Sequence, residues 1–131
     1  MTALALTPRG ARRAKTVSIG LALALPSWAV LWTQEWYVNP LAFTGLWTGA
    51  ALVMYGLGPG YPGLRRHLLL AAASVPVWWW FELVNARVDN WHYDSAERYD
   101  TLAYAFFASV AFATVLPALD SAWRLFGARV E

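Results

Sequence analysis

A glutamate stands at position 82, directly behind Trp78-Trp79-Trp80-Phe81 and inside a long apolar run. A carboxylate in a bilayer-spanning helix costs about 3 kcal/mol on insertion scales, so it ordinarily serves a bundle interior, a cavity or a partner. On a helix, Trp78, Glu82, Asn85 and Asp89 follow one another at steps of four, three and four and share one face. Two carboxylates in a partly apolar place can have their pKa values pushed apart, one kept as an acid and the other ionised. Such a pair suits proton donation to a carbon–carbon double bond, and carboxylate with tryptophan faces suits stabilising a cation. Glu82 and Asp89 are therefore the candidate catalytic residues. Trp78, Glu82, Asn85, Trp91, His92 and Tyr93 form the candidate ligand-binding set, with Glu35, Asp94 and Asp100 as further acids on the same side. Glu82 also lies close to the expected membrane surface, where a carboxylate reaches water, so a structural part stays open beside the functional one.

Other chemistries have less to stand on. The chain has no cysteine, which excludes disulfides, thiolate metal sites and thiol nucleophiles. Its two histidines, His67 and His92, are expected on opposite sides of the membrane, so no metal site is predicted and no cofactor is specified. Three adjacent tryptophans on a helix point in three directions, so one or two at most face a common ligand. The rest read as an interfacial belt, in keeping with nine tryptophans and six tyrosines in the chain.

The elements that must position these residues are apolar helices. The chain is 59% hydrophobic and 14% charged, against about 50% and 25% in soluble proteins. Runs over Thr16–Thr33, Leu41–Gly58, His67–Ala86 and Thr101–Leu119 each approach the roughly 17 to 25 residues of a membrane span. They predict an all-α integral membrane four-helix bundle over residues 16–119, between a tail at 1–15 and a tail at 120–131. Arg12-Arg13-Ala14-Lys15 and Ala22-Leu23-Ala24 have signal-peptide features, but the apolar run continues through Pro26 to Trp32, so a retained first span is expected. Gly45 and Gly49 have the spacing that lets another backbone approach, and Ala105, Ser109 and Ala113 make a second small-residue face.

The net charge of +2 orients the chain and does not recruit nucleic acid. Arg9, Arg12, Arg13, Lys15, Arg65, Arg66, Arg124 and Arg129 fall in segments on one side of the membrane. Cytoplasmic loops carry the excess of Lys and Arg, so both termini are expected in the cytoplasm and the protein in the cytoplasmic (inner) membrane.

The stretch from Leu64 to Leu119 resembles the membrane domain of the bacterial and fungal lycopene cyclase family. Arg65-Arg66, Pro76, Trp80-Phe81-Glu82, Trp91-His92-Tyr93 and Ala105-Phe106-Phe107 follow in the order of that family's elements. The Pro-x-Glu-acid cluster that precedes the double phenylalanine there is missing, and Asp100 is the nearest acid. The resemblance implies a shared helical architecture and an isoprenoid or pigment ligand. Three functions follow as expectations. The first is a non-catalytic subunit or interaction protein, working with other membrane subunits or a second copy and contacting carotenoid, quinone or lipid. The second is an isoprenoid-modifying enzyme of lycopene cyclase type. The third is a small four-span transporter with Glu82 as coupling carboxylate, although no charged residue falls within the other expected spans.

Overall fold

A computed structural model describes residues 7–33, 39–93 and 96–127. Glu35, Asp94 and Arg129 lie outside the described residues. The described chain is all-helical: α1 (Pro8–Leu31), α2 (Asn39–Leu57), α3 (Leu64–Val88), α4 (Thr101–Phe112) and α5 (Val115–Gly127), with one 3₁₀ turn at Ala96–Arg98. Four helical stretches are long and apolar enough to cross a membrane: α1, α2, α3, and α4 with α5 taken together.

Two helix bounds lie far from those of the apolar runs. α1 begins at Pro8, not at Thr16, because Thr7 caps it and Pro8 occupies a first-turn position where its missing N–H is no loss. The basic residues assigned to a tail therefore ride on the opening turns of α1. The last span breaks at Ala113–Thr114 and then continues past Leu119 to Gly127. Pro117 explains the break: it cannot donate to the Ala113 carbonyl, and its ring conflicts with that carbonyl. Ser74 of α3 repairs the gap, donating its hydroxyl to the Phe112 carbonyl and accepting from the Leu116 N–H at 3.1 Å. A neighbouring helix thus satisfies backbone groups of Phe112 and Leu116 left free at the break.

The spans stand in a row. α1 packs along α2, α2 against α4 and α5, and α3 against α4 and α5. The α1–α2 seam is backbone on backbone. A Cβ added at Gly49 would meet the Gly20 carbonyl oxygen at 2.5 Å and the Ala24 nitrogen at 2.6 Å, and one added at Gly45 would meet the Ser27 hydroxyl. Only glycine permits that approach. The small buried core is Ala51, Tyr55 and Ala118. Large apolar side chains instead face outward, Leu102 at 82%, Trp123 at 77% and Trp32 at 72% exposure. So much exposed hydrocarbon on helices of this length suits a lipid bilayer environment.

Candidate functional site

Glu82 is held by two neutral donors from the segment that follows its own helix. The Tyr93 hydroxyl donates to Glu82 Oε1 at 2.6 Å, and the Trp91 indole N–H donates to the same oxygen at 3.3 Å. Asn85 folds that segment back. Its Oδ1 accepts from the Asn90 and Trp91 backbone N–H groups at 3.0 and 3.1 Å, and its Nδ2 donates to the Trp91 carbonyl at 2.9 Å. Asn85 is thus the clamp that presents Trp91 and Tyr93 to Glu82. Burial, then the bond to Glu82 and its charge, push the Tyr93 hydroxyl up to about 12, with the Trp78 and Trp91 indoles acting the other way.

Asp89 leaves the stripe. It caps α3 in the left-handed conformation (φ 54°, ψ 48°), which Asp tolerates better than most residues. Its carboxylate is solvent-exposed, 3.6 Å from an equally exposed His92. Asp100 is spent as the N-cap of α4, accepting from the Ala103 N–H at 2.8 Å. The structure therefore brings together Trp78, Glu82, Asn85, Trp91 and Tyr93, and turns Asp89 away. His92 reaches only the rim of the cleft beside Glu82. That cleft also holds exposed Glu97, a residue that sequence spacing did not single out. Among the described residues no group of three or more His, Asp or Glu is placed to hold a metal ion.

Behind Tyr93 lies an apolar cavity of about 350 Å³, walled by Phe43, Trp78, Tyr104, Phe107 and Phe112. Tyr93, Ala96 and Tyr104 line both the cavity and the Glu82 cleft, so they form the partition between them. Trp78 and Trp79 turn inward onto Phe112, with ring centroids 5.8 and 5.3 Å away, whereas Trp80 faces outward at 64% exposure. The Trp79 indole donates to Ser109 at 3.0 Å, which gives the small-residue face of α4 an occupant from α3. Ala105 and Ala113 of that face are half-buried. Asn39 also lines the cavity, and among the described residues its buried Oδ1 has no hydrogen-bond partner.

A second polar centre sits at the opposite ends of the helices and was missed from sequence. Asp120, in α5, accepts from the Tyr55 hydroxyl at 2.8 Å, from Arg66 at 2.7 Å and from Arg124 at 2.9 Å. It ties α2, α3 and α5 together. The charged residue that the transporter expectation lacked is therefore present in the last span, but two guanidiniums already neutralise it. A charge inside an apolar run was the available signal, and ending the span at Leu119 concealed it.

No protein-family model, curated protein or solved structure matches this chain.

Proposed function

We propose that this chain is a non-catalytic, multi-pass membrane subunit or interaction protein that holds a lipophilic molecule such as a carotenoid end group, a quinone or a lipid. The observation that carries this reading is the aromatic cavity walled by Phe43, Trp78, Tyr104, Phe107 and Phe112. At about 350 Å³ the cavity is at the low end of small-molecule sites, which run from about 300 to 1,000 Å³. That admits a quinol ring, a short isoprenoid or the end group of a carotenoid, but not a whole pigment. The basic ends of the helices belong in the cytoplasm on this proposal, with both termini there and the Glu82 end outside.

The test is extraction of protein purified in mild detergent, read by absorption and mass spectrometry, beside Ala108→Phe, which fills the cavity. The proposal expects a bound apolar molecule with the wild type and its loss from the variant at unchanged abundance. Identical lipid in both extracts would overturn it. Orientation is checked by placing a cysteine at Ser95 or at Gly60: an impermeant thiol reagent should label the first from outside intact cells and not the second.

One observation favours the isoprenoid-modifying enzyme as a second reading. Glu82 and Glu97 line one cleft, separated from the apolar cavity by Tyr93 and Tyr104. Glu97 replaces Asp89 as the second carboxylate in that case. Conversion of lycopene in cells expressing the wild type, abolished by Glu82→Gln at normal protein level, would install this reading in place of the first.

A further inference from the structure

Arg9, Arg12, Arg13 and Lys15 line one wall of a cavity of about 580 Å³, and Pro59, Gly60 and Tyr61 of the α2–α3 connection line another. The walls are fixed. Tyr61 packs its ring 5.7 Å from both Tyr55 and His67, and the end of α2 backs closely onto α1, where a Cβ at Gly56 would meet the Arg13 carbonyl oxygen at 3.1 Å. Ion pairs among the described residues are confined to Arg66 and Arg124 with Asp120 and His92 with Asp89. The four cations thus have no acidic partner there. Like charges three and four residues apart on a helix repel, and the positive end of the α1 dipole adds to the field. A multiply charged anion would relieve both.

The other wall says what kind of anion. Arg12, Thr16, Ile19 and Leu23 follow at helical steps down one face of α1, from charge to hydrocarbon, with Ile19 at 46% and Leu23 at 40% exposure. Ile19 itself lines the cavity. A free anion uses only the upper part of that track. We propose that this cavity binds the phosphate headgroup of an anionic membrane lipid, with an acyl chain lying along Ile19 and Leu23. Basic pockets at the membrane surface recognise multiply charged headgroups through this chemistry.

The experiment uses the full-length protein in neutral detergent doped with diphosphatidylglycerol, read by native mass spectrometry, with inorganic pyrophosphate as the second arm. The lipid should remain bound to the wild type. Arg12→Gln with Arg13→Gln should lower occupancy by at least about tenfold, since each surface cation adds substantially to attraction for anionic lipid. Arg12→Lys with Arg13→Lys should retain binding, which separates charge from any effect on folding. Arg65→Gln, at the same end but outside the cavity, should change occupancy little, and pyrophosphate should not displace the lipid. An equal loss with Arg65→Gln would reduce the binding to diffuse charge. Pyrophosphate that binds as tightly and displaces the lipid would reassign the site to a free phosphate compound. Either result, or no lipid retained by the wild type, overturns the proposal.

Discussion

Asp120 and Glu82 are both carboxylates on apolar helices, and their surroundings are opposite in kind. Asp120 is met by two guanidiniums and a phenol from groups as far as 54 and 65 positions away in the chain. Glu82 is met by an indole and a phenol only nine and eleven positions away. The first set of bonds closes the protein on itself. The second fixes one loop against the helix that precedes it. A carboxylate whose partners are local can change without pulling helices apart, and that leaves the Glu82 end free to serve a ligand.

The comparison breaks first at Asp120. Asp120→Asn removes the charge from two arginines and weakens the acceptor of a buried hydroxyl. Hydrogen bonds to charged groups contribute about 1.5 to 3 kcal/mol, so a loss of about 2 kcal/mol is expected in detergent melts. Tyr55→Phe should cost less, about 1 kcal/mol, because Arg66 and Arg124 still satisfy the carboxylate. If Glu82→Gln proved as costly as Asp120→Asn, the division between a structural and a free carboxylate would fail.

The sequence disclosed these two centres unequally, for a physical reason. Glu82, Asn85, Trp91 and Tyr93 lie within one helix and its following loop, so spacing alone placed them together. Asp89 was misplaced because helical spacing was carried one residue too far, past Val88, where the backbone turns left-handed. Asp120 depends on Arg66 and Tyr55, whose positions no local pattern relates to it. Counting apolar residues ended the span at the first charge, although a partner on another helix lets the helix run on. The cavity was illegible for the same reason, since Asn39, Phe43, Trp78 and Phe107 come from three helices. The glycine spacing of α2 was legible as a contact surface, but its partner, α1 of the same chain, was not.

A middle-sized effect is expected at Asn85. Asn85→Ala deletes all three bonds that fold the loop back, yet none of them joins one span to another. Helix content and detergent stability should change by less than in Asp120→Asn. Retention of the proposed cavity ligand should fall sharply, because Tyr93 would no longer be held in the partition. Unchanged retention would show that the loop is not part of the ligand site.

The smallest effect sharpens the comparison through pH. Tyr93 is an acid whose folded-state pKa is raised from 10.0 to about 12, by burial first and by the bond to Glu82 second. Between those values the folded protein holds a proton that the unfolded chain releases, so stability falls as pH rises. The contribution is fully present below pH 10 and is lost as pH climbs through about 12. Tyr93 is 43% exposed, so solvent screens its interaction and the decrement should be slight. Thermal melts at about pH 9 and about pH 11 should show a small alkaline loss in the wild type that is reduced in Tyr93→Phe. The variant also removes a donor to Glu82 and leaves Trp91 to hold the carboxylate alone. Tyrosinate absorbance supplies the second readout: the wild type should show one more late-titrating phenol than Tyr93→Phe, and the early-titrating amplitude should be the same in both. If the two proteins lost stability in parallel and titrated alike, the Glu82–Tyr93 bond would carry no weight, and Glu82 would be a solvated surface carboxylate.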